Sequence, residues 1–286
     1  MNLPSLTIKQ LLEAGVHLGH KTFRWNPKMS KFIFGSKESI HIIDLVQTLE
    51  MTNSALHEIH KCISGGGKIL FVSTKKQATD TIAELAKDTS QFFVNHRWLG
   101  GMLTNWKTIS NSIKLYKKLT VELQKESKGL TKKEILKLGT KRDKLERSLG
   151  GIADMKTIPD MIFIIDTNVE SLAVKEGLKL NIPIVAVVDT NSDPTGINFP
   201  IPGNDDARRS INLYCDLIKQ TIIDAQKHIV KKNTDEINLE KKEESEKKIK
   251  TLDIKSQSST KKINETDKNK KVEVIKKSVN KFNNPK

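Results

Sequence analysis

Two acidic tripeptides raise the first chemical question: Asp166-Thr167-Asn168 and Asp189-Thr190-Asn191 each follow a short, continuously apolar run. If both runs are parallel strands, the carboxylates stand at the carboxyl edge of a sheet, where α/β enzymes keep catalytic groups. The same residue types are strong turn and cap formers. No spacing pairs them with a nucleophile and a base, and no G-x-S-x-G elbow accompanies them, so capping is the expected role. Whether a metal binds near Asp189 and Asp205, with Asp206 beside them, stays open at this point. His17 and His20 in GVHLGH stand three apart, a usable ligand spacing on a helix. Gly15 and Gly19 argue for a loop instead, and no third ligand is close in sequence, so neither a metal nor a cofactor is assigned.

Phosphate chemistry fares no better. No G-x-G-x-x-G follows a strand and no G-x-x-x-x-G-K-[ST] occurs; Gly65-Gly66-Gly67-Lys68 precedes an apolar run instead of opening a helix, and reads as a helix stop.

A different chemistry is written where cations and aromatic rings interleave. Lys21, Phe23, Arg24, Trp25, Asn26 and Lys28 follow the histidines; Lys75, Lys76 and Gln77 follow one apolar run; His96, Arg97, Trp98, Asn105, Trp106 and Lys107 follow the next. Cations bind phosphates, and exposed rings or guanidinium planes stack on unpaired bases. The candidate RNA-binding residues are therefore Lys21, Arg24, Trp25, Lys28, Lys75, Lys76, Arg97, Trp98, Asn105 and Lys107. Core packing is the alternative for Trp98 and Trp106, because large rings also plug loops onto sheets.

These loops need a scaffold. KILFVS (68–73), QFFV (91–94), MIFIID (161–166) and IVAVVD (184–189) are apolar without alternation, as strands buried on both faces must be. Helical stretches over 77–87, 170–180 and about 205–226 separate or follow them. The pattern predicts an α/β class fold, a Rossmann-like doubly wound parallel sheet. Ahead of it, Asp44 and Gln47 form a capping box for a helix that ends at Gly65. Over 107–149 no strand pattern exists. Ile109, Ile113, Tyr116, Leu119 and Leu123 make one stripe and Ile135, Leu138, Leu145 and Leu149 another, with Lys128-Gly129 as the turn and Thr131 with Glu134 as a cap. That predicts an inserted antiparallel coiled-coil hairpin of about 30 Å. Its polar face is dense in lysine, including Lys114, Lys117, Lys118, Lys132, Lys133, Lys137, Lys141 and Lys144.

The organisation expected is a body of 1–106 and 150–226, the hairpin of 107–149, and a tail of 227–286. The tail holds 18 Lys against 10 Asp or Glu with Phe282 as its one aromatic, a composition expected to stay disordered. The whole chain of 286 residues carries a net charge of +15, suited to a polyanionic partner. No run is long and apolar enough for a membrane span, and the first residues lack a signal-peptide core. Two isolated thiols, Cys62 and Cys215, make neither a disulfide framework nor a zinc site and suit a reducing cytoplasm.

GVHLGH (15–20), RWNPKM (24–29), FIFG with IHIIDL (32–45), FVSTKKQA (71–78), RWLGGMLTNW (97–106), KLERSLGGIADM (144–155) and IPIVAVVDTNSDPTGINFPIPGNDDA (182–207) resemble, in this order, the bacterial-type family of ribosomal small-subunit protein two. The resemblance runs from about residue 6 to 226. It implies a Rossmann-like sheet without a nucleotide and a protruding coiled coil. It further implies a structural, non-enzymatic role: binding small-subunit rRNA where head meets body, among neighbouring ribosomal proteins, and supporting the docking of ribosomal protein one. Ser73 stands where that family commonly has Gly, and many relatives end soon after the last helix. The competing expectation is a cytosolic α/β enzyme acting on a phosphorylated substrate at the edge bearing Asp166 and Asp189; the missing phosphate loop argues against it.

Overall fold

In the computed structural model, which describes residues 4–124 and 131–228, the chain enters through helix α1 (Ile8–Ala14). Thr7 and Gln10 cap it reciprocally, and Gly15 ends it at φ 77°, a left-handed turn that glycine takes without strain. Three short strands follow: β1 (Leu18–Lys21), β2 (Ile33–Lys37) and β3 (Ile40–Ile43). They form an antiparallel sheet in the order β1-β3-β2, which no sequence pattern announces. The loop expected around His20 is thus a strand. Gly15 only stops α1, and Gly19 lies inside β1.

Helix α2 (Leu45–Ser64) begins at Asp44, whose carboxylate accepts the Val46 N–H at 2.9 Å. Gln47 donates to the Asp44 side chain at 3.0 Å, so side-chain bonding replaces the expected reciprocal box. The helix stops at Gly65, as the glycine run requires. Then come β4 (Ile69–Val72), α3 (Thr79–Asp88), β5 (Phe92–Val94), α4 (Trp106–Gln124), α5 (Lys132–Leu149), β6 (Met161–Ile165), α6 (Ser171–Lys179), β7 (Ile184–Val188) and β8 (Phe199–Pro202). A last helix, α7, covers residues 208–228.

The four apolar runs become neighbours in one parallel sheet of order β5-β4-β6-β7-β8. Alternate residues divide between two cores. Phe71, Phe163, Ile165, Val185 and Val187 pack under α1, α2, α3 and α7. Leu70, Val72, Ile162, Ile164, Ala186 and Val188 pack under α4, α6 and the C-terminal end of α5. The sheet is therefore covered on both faces, which is why its strands show no polar alternation.

Strand β8 carries no strand signature in the sequence because Pro200 and Pro202 interrupt it. It lies at the sheet edge, where proline is tolerated. Gly203 N–H donates to the Val188 carbonyl at 3.0 Å, which turns the odd-numbered residues toward β7 and both prolines outward. The Pro202 carbonyl instead accepts the Thr48 hydroxyl at 2.8 Å.

Helices α4 and α5 pack against each other. Ile109, Ile113, Leu119 and Leu149 are buried, while Ile135 is exposed. Thr131 and Glu134 make the expected capping box. The Lys128-Gly129 turn and the tail beyond residue 228 lie outside the described residues. No helix among those described is long and apolar enough to cross a membrane.

Candidate functional site

Every parallel strand but β5 feeds one charged cluster. In sequence order of its strands the sheet runs 2-1-3-4-5, so the order reverses between β4 and β6, and an open α/β sheet takes ligands in the crevice at that point. Lys75, just after β4, fills it. Its Nζ lies 2.7 Å from each of Asp166 Oδ2, Asp205 Oδ1 and Asp206 Oδ1, and donates to the Asp205 carbonyl at 3.3 Å. Burial opposes the charge on Lys75, but Asp205 and the hydrogen bonds to three carboxylates outweigh it, and the ammonium is held protonated well above its ordinary range.

Asp166 acts as turn former and ion-pair partner at once. It sits at φ 67°, and its Oδ1 accepts the N–H groups of Asn168 and Val169 at 2.8 and 3.1 Å. Asp189 Oδ1 accepts the Thr190 N–H, while its Oδ2 lies 2.8 Å from His20 Nδ1. His20 Nε2 lies 3.3 Å from Asp206, and the His20 backbone N–H donates to Thr190 Oγ1 at 2.9 Å. Strand β1 can come this close only at a glycine: a Cβ on Gly19 would meet Thr190 Cγ2 at 2.6 Å. His20 is raised above its ordinary pKa, chiefly by its bond to Asp189, against the opposing effect of burial. Asp205 is pushed up to about 7, first by burial and then by the Asp189 and Asp166 carboxylates. Donor atoms of His20, Asp189, Asp205 and Asp206 lie within 4.8 Å of one another, close enough to share a cation; His17 is not among them.

Around this cluster, the basic and aromatic loops face outward. Lys21, Arg24, Lys28, Lys76, Arg97, Asn105 and Lys107 are exposed. Phe23 and Trp25 are 74% and 40% exposed, and the Arg24 guanidinium lies 5.5 Å from the Phe23 ring centre. Lys28 is held by Asp193 at 2.7 Å. An open depression of about 400 Å³ joins Lys21, Phe23 and Arg24 to His20, Asp189 and Asp206. Two candidates turn inward. Lys75 is spent on the cluster, and Trp98 is buried at 6% exposure, where the core-packing alternative placed it.

The residue that organises the Arg97 loop was not legible in the sequence. Glu176, on α6, is buried; its Oε1 accepts Trp98 Nε1–H at 3.0 Å and Gly101 N–H at 2.7 Å, and its Oε2 accepts the N–H groups of Leu103 and Thr104 at 2.9 and 3.1 Å. Burial raises its pKa, and the hydrogen bonds from Trp98, Thr104, Leu103 and Gly101 more than reverse this, leaving it lowered. One carboxylate thus pins a loop whose outer side chains, Arg97, Asn105 and Lys107, are presented to solvent. In sequence Glu176 is one more helix glutamate.

The geometry defines an α/β scaffold whose switch-point crevice is filled by its own lysine and whose basic loops are turned outward. The sequence profile of the family described as Ribosomal protein S2 matches residues 11–225. Proteins named small ribosomal subunit protein uS2 align with 224 residues, 78% of this chain: 57% identical in Parvibaculum lavamentivorans, covering 88% of that protein, and 57% in Gluconacetobacter diazotrophicus, covering 86%. The one from Phenylobacterium zucineum is 56% identical over 76% of its length. The chain belongs to the ribosomal protein S2 family, whose members are structural and not catalytic.

Proposed function

We propose that this chain is a structural constituent of the small ribosomal subunit in the cytoplasm, and that it binds small-subunit rRNA at the junction of head and body. Exposed Lys21, Arg24, Lys76, Arg97 and Lys107, with Trp25 and Asn105 among them, meet the RNA, and Lys28 adds its charge beside Asp193. The observation that carries this reading is the division of labour among the cations: Lys75 is neutralised inside the cluster while its neighbours in space and sequence stay free in solvent. Cations that serve folding are paired inside; unpaired exposed cations beside aromatic rings fit a phosphate backbone and unstacked bases.

In the same reading, 1–106 and 150–226 form the body, 107–149 is an antiparallel coiled-coil insertion whose lysines add to the basic field, and 227–286 contributes charge to RNA affinity. Docking of ribosomal protein one, and through it recruitment of mRNA, is the partner role that follows from the family resemblance. The test is sedimentation of the full chain with small subunits through rising salt. Retention at moderate salt with a graded decline supports the reading, since six to ten phosphate contacts weaken a lone protein on duplex nucleic acid by about 10³ to 10⁵ between 50 and 200 mM. Recovery only in the free fraction at every salt concentration overturns it.

A further inference from the structure

We propose that His60, Asp224 and His228 form a second, separate site, one that takes a borderline transition-metal dication, zinc being the best-matched ion. The three residues come from the far ends of α2 and α7. Both helices run antiparallel to the strands they cover, so the site lies at the amino edge of the sheet, opposite the Lys75 cluster. Asp224 and His228 are four apart on α7 and so share a face, and that face meets His60 on α2.

The spacing is that of ligands around one ion. His60 Nε2 lies 3.4 Å and His228 Nε2 lies 3.5 Å from Asp224 Oδ2, and one donor atom of each residue falls within 4.8 Å of the others. Zinc bound at about 2.0 to 2.2 Å in a tetrahedron separates its ligand atoms by roughly 3.3 to 3.6 Å. The second observation is independent of that spacing. His60 is only 7% exposed, and its Nε2 is buried without a hydrogen-bond partner although Asp224 is so near. The two groups approach without aligning an N–H on an oxygen, as happens when atoms converge on a common point and not on each other. Buried nitrogens of His17 and His41 also lack partners, but of these histidines His60 alone converges on a carboxylate and a second imidazole.

The supporting bond is also present. His60 Nδ1 lies 3.2 Å from Ser64 Oγ, one turn on, which fixes the ring and leaves Nε2 for an ion. Two imidazoles and a carboxylate suit zinc, cobalt or nickel; calcium and magnesium prefer oxygen alone. Water completes the shell. An ion here would tie α2 to the end of α7, 164 positions apart in sequence, and stabilise the body by mass action.

The experiment uses the full-length chain, stripped with chelator and carrying His20→Gln so that the carboxyl-edge cluster does not compete. Zinc is titrated against a chromophoric chelator, with and without His228→Gln. His228 is about half exposed, so its replacement keeps the fold, which circular dichroism checks. The expected result is one zinc per chain, bound at least ~10-fold more weakly in the His228→Gln protein. Zinc should raise the melting temperature only where His228 is present, and cobalt should give a tetrahedral visible spectrum that His228→Gln abolishes. Equal zinc binding with and without His228, or no uptake at micromolar zinc in the His20→Gln protein, overturns the proposal.

Discussion

Lys75 and Lys76 are adjacent in sequence and of one residue type, and the fold sends them in opposite directions. Lys75 turns into the sheet's switch point and meets three carboxylates; Lys76 stays in solvent. The same contrast separates the whole carboxyl-edge cluster from the loops around it. What decides the fate of a charge here is the arrival of partners from distant segments. Asp205 and Asp206 lie 130 and 131 positions from Lys75, and they reach it only because β8 docks beside β7. The inner charges hold loops in place, and the outer ones are left for a partner.

Removing an inner charge should cost the most. Lys75→Met leaves Asp166, Asp205 and Asp206 without the ammonium between them and only His20 at the edge beside Asp206, and breaking a buried ion pair from one side costs about 3 to 5 kcal/mol. At about 2 to 4 °C per kcal/mol for a body of this size, thermal unfolding should begin more than about 6 °C earlier. A variant melting like the wild type would mean the cluster does not hold the edge together.

Glu176→Gln comes next. Hydrogen bonds to a charged group contribute about 1.5 to 3 kcal/mol, and the amide presents only one acceptor oxygen to donors now shared by two. Amide exchange should quicken at Gly101, Leu103 and Thr104 while Phe71 and Ile164 in the sheet stay protected. Uniform protection across the loop would show that Glu176 is dispensable.

The cluster should also give stability a pH dependence of defined sign. Asp205, ordinarily near 3.8 and raised here to about 7, holds a proton in the folded state that the unfolded chain has released. Its contribution is present at low pH and lost as pH rises from about 4 through about 7. His20, raised above 6.5, has the same sign: its contribution is full below 6.5 and lost as pH rises through its folded value. Glu176 has the opposite sign, its contribution being lost only as pH falls below its ordinary 4.5. Between about pH 5 and pH 8 the melting temperature should therefore fall as pH rises, and Asp205→Asn should flatten that slope. A slope unchanged by the substitution would contradict the assignment.

Much of this was legible in the sequence. Four apolar runs gave four adjacent parallel strands, because burial on both faces leaves a local signature. Thr131 with Glu134 and Gly65 marked helix ends, because caps are local too. The outward basic residues could be named because lysine and arginine seldom go inside unpaired. What escaped is non-local. Strand β8 hid behind Pro200 and Pro202, whose outward placement only the completed sheet makes tolerable. The three strands around His20 are part-exposed and interrupted by Gly, Ser, His and Lys, so they lack the unbroken apolar run that marks the parallel strands. Glu176 carries no mark of the four N–H groups it gathers from more than 70 positions away.

On stability, the smallest effect should come from the outer charges. Replacing Lys21, Arg24, Arg97 and Lys107 together by Ala should leave the melting temperature within a few degrees, since exposed cations contribute little. Incorporation into small subunits should nevertheless fall, and the salt dependence of binding should flatten by about 0.7 to 0.9 for each phosphate that is no longer neutralised. Normal incorporation by a folded quadruple variant would misplace the RNA surface.

The contrast between inner and outer lysines can be read in one experiment: acetylation of each lysine, followed by mass spectrometry, in the free protein and in assembled small subunits. Lys75 should resist labelling in both states, while Lys21, Lys76 and Lys107 should react readily in the free protein and become protected on the subunit. Ready labelling of Lys75 in the free protein, or undiminished reactivity of Lys21, Lys76 and Lys107 in the assembled particle, would contradict the account.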